Sequence, residues 1–383
     1  MKLKRKLYLF VEFYLTRLFS LFYFKPSNGI AIVRLDAIGD YILFRNFLYE
    51  LKKSPHFAAF KITLIGNQAW KELAETLDNN VIDKFIWLDR SQIWDCKKYR
   101  VLKLINLAQV QYEYLVVPTY SRDFISDSLV RVMRAKYKIA SSGDLANISL
   151  EDKQVMDTYY TQLLPAKAGL LFEFERNREF FQNLLGHQLT TQLRIQALPT
   201  QLHNKFSNYV VLFVGASSKE RQWSNLNFGA LAKWLHNAYG VNVLLCGVKT
   251  DMDYSDALEI VPYMHNLIGK TSLVEMVDIL SEAKFVVSNE TAIPHLCAAL
   301  DVWVFVIYNG NYYGRFTPYP QDLTIKYKVI YHPEIEKNKG SYLARSNEPG
   351  YAAALDIDEI TVAAVKQKIL EPFSAPLRQL LIK

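Results

Sequence analysis

The sequence predicts an α/β protein with two doubly wound domains, each built on a parallel sheet with helices on both faces. Segments typical of strands alternate with helix-like segments through most of the chain. Two strand–loop–helix openings, at residues 30–40 and 210–225, lie about half a chain apart. A length of 383 residues also favours two domains that each bury their own core.

In the first half, short apolar runs predict strands at residues 29–35, 61–66, 84–88, 113–118 and 136–140. Helices are predicted at residues 40–53, 68–77, 96–109 and 122–134. Residues 141–165 show less pattern. Leu170–Leu185 predicts a helix that Gly186 ends, and the polar stretch from His187 to Asn208 is the best linker.

The second half repeats the alternation. Strands are predicted at residues 209–214, 241–246, 265–268, 284–288 and 302–307, and helices at 225–239, 251–261, 272–282 and 292–300. The Gly-, Asn- and Pro-rich stretch 308–320 predicts a shaped loop, which either turns its aromatic residues and Arg315 to a ligand or is a rigid surface loop. The tail from Asp356 to Lys383 is predicted to be helical.

Composition indicates a globular cytoplasmic protein. Half of the residues are hydrophobic, and the three cysteines are far apart, with no metal-binding spacing, so we expect reduced, packed thiols at Cys96, Cys246 and Cys297. The net charge of +7 suits a protein that handles phosphates or lies near anionic lipid. It is too diffuse to predict nucleic-acid binding.

Residues 1–25 combine a basic start with an aromatic-rich run. Glu12 and Arg17 interrupt this run and argue against a membrane-spanning helix, and no small-residue cleavage site indicates a signal peptide. Two alternatives remain. The segment is either a helix packed on the second domain or an interfacial helix that holds the protein peripherally on the inner face of the cytoplasmic membrane.

Three stretches suggest binding of a phosphorylated ligand. In Val286–His295, a strand stops at a polar turn and a small-residue helix follows, with Thr291 suited to the N-cap and Pro294 in the first turn. Such a turn is a ready site for a diphosphate. In Ile30–Asp40 and Val210–Trp223, apolar strands likewise lead into short loops and then into helices.

These motifs resemble glycosyltransferase family 9, the ADP-heptose:lipopolysaccharide heptosyltransferases and their relatives. The resemblance is carried by Arg34–Asp40, by Gly215–Ser217 with Arg221–Trp223, and by Ser288–Thr291 with His295, in order over roughly residues 28–335. It implies the GT-B fold, two Rossmann-like domains facing a cleft. Two departures stand out: Glu290-Thr291-Ala292 replaces Asp-Ser/Thr-Gly, and Arg221 replaces Lys.

The resemblance implies five segments, with the chemistry in the cleft. These are an N-terminal helix (1–27), an acceptor domain (28–190), a linker (191–207), a nucleotide-sugar domain (208–350) and a helical tail (351–383).

An inverting transfer needs a base for the acceptor hydroxyl and a cation for the leaving diphosphate. The resemblance implies that Asp40 is the base, with Asp36 as second candidate and helix capping as the structural alternative for Asp40. It implies that Arg221 offsets the charge on the diphosphate, a role for which Lys219 competes.

The remaining predicted site residues bind the nucleotide. The hydroxyls of Ser217 and Ser218 and the backbone near Gly215 are expected to hold phosphate oxygens, together with Lys219. Glu290 is expected to accept hydrogen bonds from ribose hydroxyls. The turn residues Thr291 and Ala292 complete this set, and His295 reaches the phosphates as a donor or, alternatively, packs in the core.

No metal and no cofactor are predicted. Asp251-Met252-Asp253 spells the metal-binding DxD of other glycosyltransferases, but its place at a helix start predicts capping instead. The predicted function is therefore metal-independent, inverting transfer of a sugar, heptose by resemblance, from a nucleotide-diphosphate sugar, ADP-linked by resemblance. The acceptor is lipopolysaccharide or another cell-surface glycan, lipid-linked. The alternative, motivated by the Glu290 and Ala292 departures, is an inactive nucleotide- or glycan-binding protein of the same fold.

Overall fold

A computed structural model describes residues 12–14, 16–18, 25–196, 198, 200–253, 261–346, 348, 351 and 355–373. The chain forms two compact units. The first unit runs up to Gly169 and includes Glu173–Thr191, whereas Leu170–Phe172 and the chain from Gln192 onward belong to the second. Each unit carries its own sheet and is described by itself.

The first unit is built on a parallel sheet of seven strands. These are β1 (Lys25–Pro26), β2 (Gly29–Arg34), β3 (Lys61–Asn67), β4 (Lys84–Leu88), β5 (Val110–Val117), β6 (Arg134–Ser141) and β7 (Gln162–Leu164). Their order is β4-β3-β2-β5-β6-β7, and β1 pairs with β5. The chain thus winds outward in both directions from β2, as in a Rossmann fold. All six residues of β2 are buried, which is typical of a strand covered on both faces.

Eight α-helices whose full bounds lie in the described residues accompany this sheet. They are Ile38–Phe44, Asn46–Lys53, Lys71–Leu77, Arg90–Asp95, Lys97–Ala108, Phe124–Val132, Leu150–Asp157 and Glu173–Leu185. The predicted helix at 40–53 is two helices that meet at Arg45, and the one at 96–109 is preceded by a separate helix capped by Asp89.

The second unit repeats this topology with six parallel strands. These are β8 (Tyr209–Phe213), β9 (Asn242–Cys246), β10 (Met264–Asn266), β11 (Val286–Asn289), β12 (Val304–Tyr308) and β13 (Tyr327–Tyr331). Their order is β10-β9-β8-β11-β12-β13. Its α-helices with full bounds in the described residues are Asn225–Tyr239, Leu273–Ser281, Ile293–Ala299, Pro333–Arg345 and Val362–Leu370. The predicted pair of doubly wound parallel-sheet domains is confirmed.

The structure also corrects several predictions. The strands β7 and β13 and the helices Leu150–Asp157 and Pro333–Arg345 were not predicted. Within its described residues the tail is an α-helix over Val362–Leu370, preceded and followed by 3₁₀ turns. Residues 254–260 of the predicted helix 251–261, and the tail after residue 373, lie outside the described residues. All three cysteines are free, but Cys96 is exposed and not packed.

The described part of the N-terminal segment packs on the first unit. Residues 12–14 and 16–18 are helical. The buried carboxylate of Glu12 accepts hydrogen bonds from Arg100 Nε (2.7 Å) and Nη2 (3.1 Å), and Phe13 packs against the first unit's core. The predicted packing of this helix on the second domain is wrong for the described residues, because Arg100, the partner of Glu12, lies in the first unit. None of the helices in the described ranges is both long and apolar enough to cross a membrane.

Candidate active site

The turn after β2 is held rigidly by side chains of neighbouring elements. Asn67 Nδ2 donates to the carbonyl oxygens of Leu35 and Asp36, both at 3.2 Å. Trp70 Nε1 donates to the Asp36 carbonyl at 3.0 Å, and Arg90 Nη1 donates to that of Leu35 at 3.1 Å. These four bonds fix the direction in which the chain enters the next helix.

A buried guanidinium joins the acidic residues on both sides of this turn. Arg34, 1% exposed, forms ion pairs with Asp36 (2.8 Å), Glu173 (3.1 Å) and Asp40 (3.9 Å), and donates to Asn177 Oδ1 at 3.0 Å. Burial opposes its charge, but the three carboxylates outweigh burial and raise the pKa of Arg34. Arg34 is therefore a permanent cation that orients the site.

The two candidate bases differ in their surroundings. Asp36 contacts Arg34 at 2.8 Å and its Oδ2 also accepts a hydrogen bond from Thr119 Oγ1 at 3.1 Å. Asp40 is the third residue of the helix Ile38–Phe44, and its side chain is 17% exposed. Ala37 holds the N-cap position, so Asp40 is not the capping residue of this helix. Asp40 therefore stays the predicted base, and Asp36, which contacts Arg34 and Thr119, stays the second candidate.

The loop after β8 is anchored to the neighbouring strand β11. Asn289 Nδ2 donates to the carbonyl oxygens of Val214 (2.9 Å) and Gly215 (3.2 Å), and Asn289 Oδ1 accepts from Trp223 N at 3.2 Å. Trp223 itself is fully buried, and its indole donates to the Ile360 carbonyl at 2.7 Å. Hydrogen bonds therefore hold the loop both at its start, at Val214 and Gly215, and at its end, at Trp223.

Arg221 projects from this loop into a polar cluster. Its Nη1 donates to Ser217 Oγ at 3.3 Å and lies 3.9 Å from Glu290 Oε2. Its guanidinium also lies over the ring of Tyr312, 5.2 Å from the centroid. Tyr312 is 45% exposed and has a φ of 54°, a strained conformation for a residue other than Gly.

Glu290 is a buried carboxyl whose hydrogen-bonding capacity is not filled. It is 7% exposed, and within the described part of the chain its Oε2 has no hydrogen-bond partner. Burial raises its pKa to about 7, although Arg221 acts in the opposite direction. Such a group fits a ligand that supplies hydroxyl donors.

The turn after Glu290 differs by one residue from the prediction. Ala292, not Thr291, holds the N-cap position of the helix Ile293–Ala299. Thr291 Oγ1 still accepts a hydrogen bond from Ile293 N at 3.2 Å, so the side chain caps the helix from one position earlier.

His295 lies in this helix and is buried. Its Nδ1 is 2.6 Å from the hydroxyl of Tyr319, and its ring packs edge-on against Phe316. Burial lowers its pKa to about 4, so the imidazole is neutral at pH 7. These contacts favour the packing alternative, and a role on the phosphates stays a prediction.

Comparison with known proteins identifies the chain. Residues 105–344, more than half of the sequence, match the profile of glycosyltransferase family 9 (heptosyltransferase). The chain belongs to glycosyltransferase family 9. No curated protein matches it.

Solved structures of similar proteins cover nearly the whole chain. E. coli heptosyltransferase WaaC with ADP-2-deoxy-2-fluoro heptose has 20% identity and a TM-score of 0.66, covering 90% of this chain and 99% of its own. A family 9 glycosyltransferase from Veillonella parvula DSM 2008 has 15% identity and a TM-score of 0.68, and the match covers 93% of this chain and 97% of its own. E. coli ADP-heptose lps heptosyltransferase II has 17% identity and a TM-score of 0.61, and the match covers 92% of this chain and 98% of its own. The predicted GT-B fold and glycosyltransferase class are confirmed.

In this glycosyltransferase the other predicted site residues lie around the same loop. Ser218 and Lys219 are exposed. At Gly215 a Cβ atom would clash with Asp251 Oδ2, so a larger residue there would displace the Asp251 carboxylate. The same Asp251 oxygen accepts a hydrogen bond from Val248 N at 2.8 Å, which caps its own turn. Among the residues described, no group of three or more His, Cys, Asp or Glu could hold a metal ion.

Sequence reasoning missed the residues that position this family 9 site. Glu173 and Asn177 hold Arg34 from a distant helix, and Asn289 holds the loop after β8. The position of Arg34 at the end of an apolar strand indicates that its charge needs buried partners. Nothing local identified those partners.

Proposed function

We propose that this family 9 enzyme is a metal-independent, inverting glycosyltransferase that transfers heptose from an ADP-linked donor to a glycan hydroxyl. The observation that carries the proposal is the buried carboxyl of Glu290, whose Oε2 has no hydrogen-bond partner among the described residues, beside the guanidinium of Arg221. The donor bound by the similar WaaC, ADP-2-deoxy-2-fluoro heptose, supports this choice of nucleotide and sugar.

The donor's two polar parts match the two groups of this cluster. Ribose hydroxyls would donate to Glu290 and stabilise its ionised form, which burial disfavours in the free protein. Arg221 would contact phosphate oxygens, because a guanidinium presents paired donors to them. Ser217, Ser218 and Lys219 line the same loop and would supply further donors.

The transfer follows from the roles of Asp40 and Arg221. The Asp40 carboxylate takes the proton of the acceptor hydroxyl as the hydroxyl oxygen bonds to the anomeric carbon. The bond from that carbon to the diphosphate oxygen breaks, its electron pair leaves with the nucleoside diphosphate, and Arg221 offsets the charge. Attack from the side opposite the leaving group inverts the anomeric configuration. Arg34 acts as a positioning residue for Asp40.

The acceptor in this proposal is lipopolysaccharide or another cell-surface glycan on a lipid, and residues 1–25 hold the enzyme at an anionic membrane surface. Support comes from the described part of the N-terminal helix. Glu12 and Thr16 are buried, whereas Tyr14 and Leu18 are 55% and 54% exposed, so an aromatic and an aliphatic side chain share the outer face.

The base assignment predicts the behaviour of Asp40→Asn. We expect kcat to fall about 10²- to 10⁴-fold, because the amide cannot accept the proton, with the affinity for ADP nearly unchanged. The measurement is transfer from ADP-heptose together with ADP titration calorimetry. In the control, Asp36→Asn, we expect mainly a lower Tm, since Asp36 holds Arg34 and Thr119. Wild-type turnover by Asp40→Asn would contradict the assignment.

Metal independence predicts full activity in EDTA. The Asp251 carboxylate is occupied by Val248 N and packs against Gly215, so it is committed to its own turn. The measurement is turnover with EDTA and after adding Mn²⁺ or Mg²⁺. Loss of activity in EDTA that either cation restores would show that the donor diphosphate needs a metal.

A further inference from the structure

The loop after β12, residues 309–316, carries an aromatic residue in an uncommon backbone conformation. Tyr312 has a φ of 54°, in the left-handed region that favours glycine, and its side chain is 45% exposed. A tyrosine in this conformation costs free energy that glycine would not, and a half-exposed ring recovers only part of it through burial. Burial of the side chain therefore does not account for a tyrosine at this position.

The ring of Tyr312 lies against the guanidinium of Arg221. Arg221 Cζ is 5.2 Å from the ring centroid, a distance at which an aromatic face attracts a cation. Phe316 meets the same ring edge-on, with the two centroids 5.9 Å apart. The carbonyl oxygen of Tyr312 accepts a hydrogen bond from Arg315 N at 3.0 Å. These contacts fix both the ring and the backbone of Tyr312.

A chain of hydrogen bonds ties this loop to the backbone next to Arg221. The hydroxyl of Tyr308, the last residue of β12, donates to the carbonyl oxygen of Asn311 at 2.6 Å. Asn311 Nδ2 donates to Asn309 Oδ1 at 2.8 Å, and Asn309 Nδ2 donates to the carbonyl oxygen of Glu220 at 2.8 Å. Both asparagines are buried, which shields these bonds from water. The loop after β12 and the loop after β8 are therefore fixed relative to each other.

The polar contacts of Arg221 restrain its guanidinium at a single nitrogen. Nη1 donates to Ser217 Oγ at 3.3 Å, and the same Nη1 lies 3.9 Å from Glu290 Oε2. An aromatic ring beside the guanidinium additionally limits how this planar group can turn. The contact also suits the departure of the sequence at this position, because an arginine has a plane that a ring can orient, whereas a lysine presents a point charge.

We propose that Tyr312 is a positioning residue, whose ring holds the Arg221 guanidinium in the orientation that offsets the charge on the leaving diphosphate. The inference rests on the proposed function, because it takes Arg221 as that countercharge. Tyr312 contacts none of the reacting atoms and acts through Arg221. The strained backbone at Tyr312 is then explained by the placement of its ring.

The test compares two substitutions of Tyr312. Tyr312→Asn removes the ring and introduces a residue that tolerates a left-handed backbone, whereas Tyr312→Phe keeps the ring. We expect Tyr312→Asn to lower kcat and the affinity for ADP by about 3- to 30-fold, the range for loss of a cation–π contact. Its affinity for adenosine, which has no phosphate, and its Tm should not fall. Tyr312→Phe should keep about half or more of the wild-type kcat.

A double-mutant cycle with Arg221→Ala shows whether Tyr312 acts through Arg221. The measurements are steady-state transfer from ADP-heptose and ADP calorimetry. In the Arg221→Ala background, Tyr312→Asn should change kcat and ADP affinity less than about twofold, because the group that the ring positions is gone. Equal losses in both backgrounds would show that Tyr312 contacts the donor directly or only supports the fold. That result, or wild-type kcat and ADP affinity in Tyr312→Asn, would overturn the inference.

The matched control is Gln201→Asn. Gln201 belongs to the same unit, is exposed and also has a left-handed backbone, with a φ of 58°. The substitution should change neither kcat nor the affinity for ADP. A loss equal to that of Tyr312→Asn would show that the changed backbone preference, and not the missing ring, lowers activity, and it would overturn the inference.

The same measurements separate this inference from the proposed function. If Arg221→Ala keeps the wild-type kcat, the countercharge assigned to Arg221 is wrong, and the inference fails together with that part of the proposed function. If Arg221→Ala loses kcat while Tyr312→Asn keeps it, the positioning role of Tyr312 alone fails.

Discussion

At the scale of single residues, Glu290 ties stability to function. Its pKa in the folded protein, about 7, lies above the ordinary value of 4.5. Between these two pH values the folded chain binds more protons than the unfolded chain, so the free energy of unfolding falls as pH rises through this window. Above pH 7 the ionised, buried Glu290 lowers the free energy of unfolding by on the order of 3 kcal/mol.

This linkage predicts that Glu290→Gln separates stability from binding. At pH 8 we expect the free energy of unfolding of the variant to be about 1–3 kcal/mol higher than that of the wild type, because the buried carboxylate charge is removed. At pH 4 the gain should vanish, since Glu290 is then neutral. Affinity for ADP should fall about tenfold. Urea denaturation at both pH values and calorimetry measure these effects.

The control for Glu290→Gln is Glu282→Gln, which changes an exposed carboxylate in the same unit. It should alter neither the pH profile nor ADP binding. If the Glu290→Gln variant is less stable than the wild type at pH 8, the Glu290 carboxylate already has hydrogen-bond partners in the ligand-free wild-type protein.

Arg221 provides a second prediction at this scale. Arg221→Ala should lower kcat about 10²-fold or more, because the leaving diphosphate loses its countercharge. Arg221→Lys should retain part of the activity, since a lysine supplies charge without paired donors. The exposed neighbour Lys219 is the control, and Lys219→Ala should change kcat less than Arg221→Lys does. The reverse order in steady-state kinetics would transfer the role to Lys219.

At the scale of elements, the N-terminal helix has two faces with separate duties. Its inner face carries Glu12, whose carboxylate pairs with the buried Arg100, a residue that also donates to Ser128 Oγ at 2.9 Å. Removing one partner of a buried pair costs about 3–5 kcal/mol. Deleting residues 1–25 would therefore destabilise the first unit, whatever the role of the outer face.

The outer face is tested by substitution instead of deletion. The double variant Tyr14→Ser, Leu18→Ser should lose binding to vesicles containing anionic lipid while the protein stays folded, because both side chains are more than half exposed. Vesicle sedimentation at low and high salt measures binding. The control, Glu12→Gln, should lower Tm and leave vesicle binding of the folded protein intact. If the double variant binds vesicles as the wild type does, the outer face of this helix does not contact the membrane.

Elements could be predicted where local pattern decides them. The bounds of β4 and of the helix Asn225–Tyr239 agree with the predicted ones to the residue, and in the structure Ser224 and Gly240 hold the N-cap and C-cap positions of that helix. β7 has only three residues and carries too little pattern. Contacts between distant segments, such as Arg34 with Glu173, 139 residues away, depend on the assembled sheet and left no local signal.

At the scale of the whole molecule, the chain consists of two units with separate hydrophobic cores. The core of the second unit includes Trp223, Phe285 and Phe305, and that of the first includes Val33, Leu115 and Leu129. The proposed donor contacts all belong to the second unit, in the loop after β8 and the turn after β11. A nucleotide that binds there stabilises the unit that holds it.

This organisation predicts where ADP protects the backbone in hydrogen exchange. At 100 times its Kd, ADP stabilises the state that binds it by about 2.7 kcal/mol. Peptides covering residues 210–224 and 286–295 should exchange more slowly, because the bound nucleotide suppresses local unfolding of the loop and of the turn. Peptides covering 110–117, in the first unit's sheet, should be unchanged. The Glu290→Gln variant, measured at the same ADP concentration, should show weaker protection of both segments. Protection confined to the first unit would place the nucleotide on the other sheet and contradict the assignment of Glu290 and Arg221.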